Sequence, residues 1–318
     1  MAFKLVILPE HNVRSDWADR IRAAVPGCDV RMPQSREHVL REIVDADAAY
    51  GNVDPELFSR ARKLRWVQAH AAAPPIGYYH KALIESDVVV TNLRGNFNDH
   101  LATHIMAFVL AFARGFHRHI PDQMRRVWAE GGPVIHLPSS TALIIGVGGS
   151  GAETARLCAA FGMTVLGLDP RVTEPPPGVS ELYLPERLHD LLPRADFVIM
   201  TVPQTPQTTN MMAAREFRLM KRTAYLINVG RGGTVVLDDL VDAIRSGEIA
   251  GAGLDVFQIE PLPSDHPLWT MPGVLITPHC AGEGPFVLDR HLETFLDNCK
   301  RFAEGRPLRN VVDKANWF

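Results

Sequence analysis

The sequence predicts an α/β fold of parallel sheets divided into two domains. Short apolar runs of strand length alternate with helical patterns along almost the whole chain, which is typical of strand–helix–strand units. A glycine-rich turn joins one of these strands to the helix after it, a further sign of this fold class. The chain has 318 residues, more than one hydrophobic core usually serves, so two domains are expected.

The first hundred residues contain four predicted strands, KLVILP, DVRMP, LRWVQAH and DVVVTN. A long helix is then predicted from about Asn98 to Arg118. Apolar residues occupy every side of this helix, so we expect it to be buried between domains or in a subunit interface. The connection AEGGPVIHLPSS follows it.

From Thr141 the alternation restarts with the strand TALIIG and a helix from Gly151 to Phe161. The later predicted strands are TVLGLD, DFVIMTVP, AYLINVG, GAGLDVF and VLITPH. A helix from about Pro285 to Glu304 and a short tail follow. Because that helix can return to the first domain, we expect the first domain to be discontinuous.

Composition excludes several classes of protein. The net charge is −3 and there is no basic tract, which argues against a nucleic-acid partner. No apolar run is long enough for a membrane span, and the N-terminus reads as a strand rather than a signal peptide. The four cysteines are scattered without a CxxC pair, which argues against disulfides or structural zinc. We expect a cytoplasmic protein that acts on a small molecule.

His100 and His104 are spaced i, i+4 on the predicted helix, as in some metal sites. The sequence offers no third ligand beside them. We therefore expect no metal.

The segment LIIGVGGSGAETARLCAAFGMTVLGLDP carries Gly146, Gly148 and Gly151 in GxGxxG spacing. Gly146 allows the tight turn, Gly148 lets a pyrophosphate approach, and Gly151 allows close helix packing. Asp169 ends the next strand about twenty residues on, where a carboxylate accepts hydrogen bonds from ribose hydroxyls and repels a 2′-phosphate. Arg171 leaves use of NADP open. The alternative is a glycine turn with a capping aspartate and no nucleotide.

Three polar residues follow successive predicted strands: Arg231 after AYLINVG, Glu260 after GLDVFQI, and His279 at the end of VLITPH. Ligands of doubly wound sheets bind beyond the carboxyl ends of the strands. Arginine suits a carboxylate, and histidine beside a carboxylate suits proton transfer near neutral pH. Taken singly, the histidine can be structural and the glutamate can belong to a plain loop.

The order GxGxxG, NVGRGG, GLDVFQIEPLP and HPLWTMPGVLITPHCAG resembles the NAD-dependent D-2-hydroxyacid dehydrogenases, which include glyoxylate/hydroxypyruvate reductases and phosphoglycerate dehydrogenase. The resemblance covers nearly the whole chain. It implies two Rossmann-like doubly wound domains with parallel sheets. The discontinuous substrate domain would comprise residues 1–98 and 286–318, and the dinucleotide-binding domain, with its dimerisation helix, residues 99–285.

By this resemblance the chain reduces a 2-oxo acid to a D-2-hydroxy acid with NAD as cofactor and forms a homodimer. Arg231 would bind and polarise the substrate, His279 would donate a proton, and Glu260 would pair with His279. Further cofactor contacts are implied for Gly149, Ser150, Val202, Pro203, Val229, Gly230, Asp255, Ala281 and Gly282.

One segment departs from the family pattern. The backbone loop that holds the substrate carboxylate in the family reads HAAAPPIGYYH here. Pro74 and Pro75 have no N–H group to donate. The substrate donors are therefore expected among Ala72, Ala73 and Gly77.

Two further positions bear on the substrate. Tyr78 and Tyr79 can line the site or pack in the core. Thr103 stands where the family helix usually carries a glutamate. The alternative function is a catalytically weak nucleotide-sensing protein that uses the same fold as a scaffold, and the altered loop is its best support.

Overall fold

The structure is a computed structural model that describes residues 2–10, 13–75 and 77–317. The chain divides into two compact units, residues 1–96 with 284–318 and residues 97–283. Over the described ranges, no helix combines the length and apolar character needed to cross a membrane.

The strands are β1 Phe3–Ile7, β2 Cys28–Arg31, β3 Ala48–Tyr50, β4 Trp66–Gln68, β5 Val89–Thr91, β6 Thr141–Ile145, β7 Thr164–Leu168, β8 Glu181–Tyr183, β9 Phe197–Met200, β10 Tyr225–Asn228, β11 Gly251–Leu254 and β12 Val274–Ile276. The helices are α1 Trp17–Ala24, α2 Arg36–Glu42, α3 Pro55–Arg60, α4 Lys81–Ile84, α5 Asn98–Ala113, α6 Phe116–Arg125, α7 Gly149–Ala160, α8 Leu188–Leu191, α9 Ala214–Leu219, α10 Leu237–Arg245 and α11 Val287–Glu304.

The first unit contains a five-stranded parallel sheet in the order β2-β1-β3-β4-β5. This is the strand order of one common doubly wound fold. Strand β3 was not predicted, because its three residues, Ala-Ala-Tyr, form too short an apolar run to indicate a strand. The C-terminal helix α11 belongs to this unit, so the unit is discontinuous in sequence.

A buried polar network ties α11 to this sheet. The indole N–H of Trp66 donates to the hydroxyl of Thr91 at 2.8 Å, and that hydroxyl donates to Gln68 Oε1 at 2.8 Å. The amide of Asn298 on α11 donates to the same oxygen at 3.2 Å. All four side chains belong to fully buried residues, so their hydrogen bonds are made within the protein.

The second unit contains a seven-stranded parallel sheet in the order β12-β11-β10-β9-β6-β7-β8. The chain starts in the middle at β6, moves outward to β8, and returns to the other side at β9. The order therefore reverses between β6 and β9, and this is the point at which doubly wound sheets bind dinucleotides. The two parallel sheets confirm the predicted α/β class.

The long helix predicted from Asn98 to Arg118 is in fact two helices, and this prediction was wrong. Gly115 between them has a φ of +74°, a left-handed conformation that glycine adopts without strain and that ends α5. Seven residues of α5 are buried, whereas none of α6 is. Side chains of α6 spaced four apart form an exposed apolar stripe of Phe116, Ile120 and Met124.

Candidate active site

The glycine-rich turn joins β6 to α7. Gly146 has a φ of +92°, and a Cβ on Gly151 would lie 1.9 Å from the Gly146 carbonyl oxygen, so α7 can begin this close to the turn only with glycine there. A Cβ on Gly148 would meet nothing within 4 Å. The turn therefore leaves open space in front of the first backbone N–H groups of α7, which suits a phosphate group.

Asp169, at the end of β7, is buried against this turn. Its Oδ2 accepts the backbone N–H of Val147 at 3.1 Å. Its Oδ1 accepts the backbone N–H groups of Arg171 at 2.9 Å and Val172 at 3.2 Å. Oδ1 thus uses both of its lone pairs, whereas Oδ2 keeps one that can accept a ribose hydroxyl. The carboxylate also holds together two loops beside the nucleotide position.

Asn98, the first residue of α5, lies beside the N-terminus of α7. Its Oδ1 accepts the hydroxyl of Ser150 at 3.0 Å. A Cβ on Gly149 would lie 2.5 Å from Asn98 Nδ2, so Gly149 leaves room for this amide. Gly149 and Ser150 were predicted from the sequence, and Asn98 was not. Asn98 lies 52 positions before Ser150, and no short-range sequence pattern connects the two residues.

Val202, after β9, brings the glycine turn close to the arginine motif. A Cβ on Gly146 would lie 2.8 Å from a Val202 methyl group, and a Cβ on Gly230 would lie 2.5 Å from the Val202 carbonyl oxygen. Pro203 follows, and its carbonyl accepts the hydroxyl of Thr208 at 2.7 Å. The ends of β6, β9 and β10 are therefore neighbours at one edge of the sheet.

The backbone around Arg231 is held by Asn228, the buried last residue of β10. Asn228 Oδ1 accepts the N–H of Gly230 at 3.0 Å, and its Nδ2 donates to the Arg231 carbonyl at 3.2 Å. Thr234 also donates its hydroxyl to that carbonyl at 2.7 Å. Val229, between them, is buried. The sequence analysis missed Asn228, although a polar residue closing a buried strand was a usable signal.

The Arg231 guanidinium lies in a largely enclosed position and donates from Nη1 to the Gly230 carbonyl at 2.6 Å. Burial lowers the pKa of this guanidinium, and the negative charge of Glu260 acts in the opposite direction. It remains a permanent cation at physiological pH.

Glu260 and His279 form a hydrogen-bonded pair. Oε2 of Glu260 lies 2.6 Å from Nδ1 of His279, and Oε1 of Glu260 accepts the backbone N–H of Phe257 at 2.8 Å. Because the Nδ1 side of the ring faces Glu260, Nε2 is the nitrogen that can exchange a proton with a ligand. The two side chains are 34% and 46% exposed, respectively, so the pair is open to ligands.

Asp255, which follows β11, is 1% exposed, and its contacts are within the protein. Oδ1 accepts the N–H of Cys280 at 2.9 Å and the hydroxyl of Thr277 at 2.6 Å, and Oδ2 accepts the N–H of Ala281 at 3.0 Å. Its carboxylate therefore fixes the segment that carries His279. A Cβ on Gly282, the residue after Ala281, would lie 3.7 Å from the ring of Phe97.

In the first unit, the predicted substrate loop follows β4. The carbonyl of Ala72 accepts an amide hydrogen of Asn92 at 2.8 Å, which ties this side of the loop to the end of β5. Ala73 is half-buried, and Gly77 is exposed with a φ of +91°.

Tyr78 and Tyr79 are buried in the core of the first unit, so of the two roles left open the structure supports core packing. Tyr78 donates its hydroxyl to the Gly51 carbonyl at 3.0 Å.

No group of three or more His, Cys, Asp or Glu residues in the described part of the chain is arranged to hold a metal ion. His104, considered above as half of a metal pair, contacts Thr277 instead, at 2.9 Å.

The second unit thus combines two features at the carboxyl edge of one sheet. The open glycine turn, the start of α7 and Asp169 fit a dinucleotide, with the pyrophosphate at the helix N-terminus. Arg231, Glu260 and His279 follow β10, β11 and β12, where a cation and a proton donor can act on a carbonyl compound. This set can support proton-coupled reduction of an acidic substrate.

Comparison with known proteins gives consistent matches. The model of the NAD binding domain of the D-isomer specific 2-hydroxyacid dehydrogenases matches residues 106–281. A glyoxylate reductase of Korarchaeum cryptofilum is 33% identical over 298 residues, which cover 89% of this chain and 87% of the relative.

Solved structures also resemble the whole chain. A D-isomer specific 2-hydroxyacid dehydrogenase of Xanthobacter autotrophicus Py2, in complex with NADPH, has a TM-score of 0.88 and 29% identity, covering 100% of both chains. An NADPH-dependent glyoxylate/hydroxypyruvate reductase of Sinorhizobium meliloti, in complex with NADP and sulfate, has a TM-score of 0.82 and 28% identity, again covering 100% of both chains.

Proposed function

The chain belongs to the D-isomer specific 2-hydroxyacid dehydrogenase family and is an NAD(P)-dependent oxidoreductase, and we propose that it reduces a small 2-oxo acid to the D-2-hydroxy acid through Arg231, Glu260 and His279. The observation that carries the proposal is the 2.6 Å contact between Glu260 and His279 in the unit that contains Arg231. The relatives reported above are named as enzymes, which gives the alternative of a scaffold protein no support.

When bound, the nicotinamide supplies the hydride. The substrate carbonyl oxygen gains negative charge as it is reduced, and His279 gives it a proton from Nε2. Glu260 holds the ring through Nδ1 and so leaves Nε2 to exchange the proton. The Arg231 guanidinium binds the substrate carboxylate and stabilises the developing charge on the oxygen.

The cofactor contacts are proposed at Gly146, Gly148, Gly149, Ser150, Gly151, Asp169, Val202, Pro203, Val229, Gly230, Asp255, Ala281 and Gly282. For Asp255 the contacts described above support an indirect role, because its carboxylate oxygens hold the protein backbone. We propose residues 99–285 as the dinucleotide-binding domain, and residues 1–98 with 286–318 as the substrate domain.

The proposed substrate class is small 2-oxo acids, with glyoxylate and hydroxypyruvate as first candidates. The relative in Korarchaeum cryptofilum and the solved structure from Sinorhizobium meliloti carry these substrates in their names. Ala73 and Gly77 are proposed as backbone donors to the substrate carboxylate. The hydrogen bond from the Asn92 amide to the Ala72 carbonyl supports the role of Ala73, because it fixes the peptide group whose N–H belongs to Ala73.

We propose NADH as the preferred cofactor, since Asp169 lies where it would repel a 2′-phosphate. Two solved relatives hold NADPH or NADP, so the preference has to be measured on this protein. We further propose a cytoplasmic homodimer. The exposed apolar stripe on α6 supports the dimer, because contiguous exposed apolar surface marks interaction sites.

The test is oxidation of NADH and of NADPH, followed at 340 nm, with glyoxylate, hydroxypyruvate, pyruvate and phenylpyruvate. At least one acid should be reduced, and chiral analysis should identify a D product where the product is chiral. Arg231→Ala and His279→Ala should each lose most of the turnover while binding of NADH, read by its fluorescence, persists. If either variant reduced every active acid at nearly the wild-type rate, the assigned roles would be wrong.

A further inference from the structure

A chain of hydrogen bonds runs from helix α5 to the segment that carries His279. Nε2 of His104 lies 2.9 Å from Oγ1 of Thr277, and the Thr277 hydroxyl donates to Oδ1 of Asp255 at 2.6 Å. The Asp255 carboxylate in turn accepts the backbone N–H groups of the two residues after His279, at 2.9 and 3.0 Å. A side chain of α5 is therefore linked to the backbone on the far side of His279.

The chemistry of these groups sets the direction of each bond. A carboxylate can only accept, so the hydroxyl hydrogen of Thr277 points to Asp255. The oxygen of Thr277 is then the acceptor for His104, and the hydrogen of this bond must be carried by Nε2 of His104. That requirement holds for both the neutral and the protonated ring, because the protonated ring also carries a hydrogen on Nε2.

The segment needs this support because its backbone is strained. His279 has a φ of +54°, a left-handed conformation that non-glycine residues rarely adopt. Its own N–H donates to the Asp255 carbonyl at 2.8 Å. Asp255 therefore holds His279 through its backbone and the next two residues through its side chain.

Helix α5 reaches this position because β11 carries a glycine, with no side chain, where the helix packs on it. A Cβ on Gly253 of β11 would lie 2.8 Å from the ring of Phe108, so glycine there lets α5 approach. The rings of Phe108 and His104 are in edge-to-face contact with centroids 5.0 Å apart. The half-buried His104 is thereby directed toward Thr277.

We propose that His104 and Thr277 are positioning residues for the proton donor His279, acting through Asp255. The inference rests on the role proposed above for His279. It goes beyond that role because it makes helix α5 a determinant of turnover, and because it assigns His104 a function in place of metal binding.

The primary test compares Thr277→Val with Thr277→Ser. Valine keeps the size and removes the hydroxyl, so kcat should fall about tenfold, the scale of one lost hydrogen bond to a charged group. NADH should still bind, because the contacts proposed at the glycine turn and at Asp169 are untouched. Serine restores the hydroxyl and should return kcat to within about threefold of wild type.

The second test removes the outer link. His104→Phe keeps a ring against Phe108 and loses the donor, so kcat should fall in the same direction. The double variant His104→Phe/Thr277→Val should be no slower than Thr277→Val by more than about twofold, because both changes break one chain. The matched control is Thr164→Val, at the exposed start of β7, which should leave kcat unchanged.

Wild-type kcat in Thr277→Val, an equal loss in Thr277→Val and Thr277→Ser, or fully additive losses in the double variant would each overturn the proposal. Thermal unfolding of every variant separates misplacement of His279 from general destabilisation. Failure of the proposed function would give a different result, namely a wild-type protein that reduces none of the four acids. If the wild-type protein is active and the variants keep its kcat, this inference alone is contradicted.

Discussion

One carboxylate oxygen of Glu260 lies 2.6 Å from Nδ1 of His279. The other oxygen accepts the backbone N–H of Phe257, in the same loop as Glu260, at 2.8 Å. The histidine is therefore oriented by a group that is itself fixed to the backbone. In such a pair the carboxylate holds one ring nitrogen, and the other nitrogen can exchange a proton with a ligand.

Replacing Glu260 should reduce turnover in two stages. Glu260→Gln keeps a hydrogen-bonding side chain of the same size and loses the charge, so we expect kcat to fall about tenfold to a hundredfold. Glu260→Ala also releases the ring and should be slower still. Steady-state kinetics with a saturating 2-oxo acid measures both, with Glu186→Gln, an exposed glutamate, as control. Wild-type kcat in Glu260→Ala would contradict the role.

Alanine substitutions at Gly148 and Gly151 should separate cofactor binding from folding. At Gly151 the new Cβ would lie 1.9 Å from the Gly146 carbonyl oxygen, so Gly151→Ala should destabilise the fold by more than about 2 kcal/mol. At Gly148 the Cβ enters open space, so Gly148→Ala should melt near the wild-type temperature.

The same methyl group at Gly148 occupies the space proposed for the pyrophosphate. Gly148→Ala should therefore raise the dissociation constant of NADH about tenfold, measured by fluorescence titration. Equal melting temperatures for the two variants, or unchanged NADH binding in Gly148→Ala, would show that the turn does not hold the cofactor as proposed.

Asp169→Ser should shift the preference between the two cofactors. The smaller neutral side chain no longer repels a 2′-phosphate, so the ratio of kcat/KM for NADPH over NADH should rise about tenfold. The carboxylate also accepts three backbone N–H groups, so some loss of stability is expected as well. The ratio is insensitive to that loss, and an unchanged ratio would remove Asp169 as the determinant.

His291 on α11 should make the protein less stable in mild acid. Burial lowers the pKa of His291 from 6.5 to about 4. The folded state thus binds this proton more weakly than the unfolded state, so the stability present above pH 6.5 is lost as the pH falls toward 4. In His291→Leu the melting temperature should fall less between pH 7 and 5 than in wild type.

The control for His291 is Leu288→Ala on the same helix, because Leu288 is 37% exposed and has no titratable group. This variant should keep the wild-type dependence on pH. Parallel curves for His291→Leu and wild type would indicate that His291 does not contribute.

The apolar stripe on α6 should mediate the dimer. Met124 is 82% exposed and Trp128, shortly after the helix, is 89% exposed. Met124→Glu/Trp128→Ser places a charge and a small polar group there, and light scattering after size exclusion should show a monomer where wild type is a dimer. Leu184→Glu, at an apolar residue that is 58% exposed and not part of the stripe, should leave the dimer intact. A monomeric wild type would contradict the homodimer itself.

Local patterns were sufficient for most of the architecture. The strands of the second sheet, apart from the short β8, appear in the sequence as apolar runs, because strands buried on both faces need continuous apolar residues. The glycine spacing and Arg231, Glu260 and His279 were equally visible, since each comes within about six residues of the end of such a strand.

Other features lay beyond local patterns. The break at Gly115 lies near the end of a long apolar helical pattern, and a single glycine does not by itself interrupt such a pattern, so the predicted helix continued across it. The two tyrosines of the substrate loop were equally compatible with a ligand or a core, and burial decided between them. Asn98 looked like an ordinary helix residue and His104 like half of a candidate metal pair, because their partners lie 52 and 173 positions away.

The sequence by itself determined the class of fold, the order of the motifs and the chemistry that the family carries out, because all of these depend on residue types at short spacings along the chain. Only the tertiary structure decided that Asp255 and Thr277 hold the segment of His279 and that Asn98 contacts the start of α7. Those contacts join segments that are far apart in sequence, and they exist only once parallel strands have brought their carboxyl ends to one edge of the sheet.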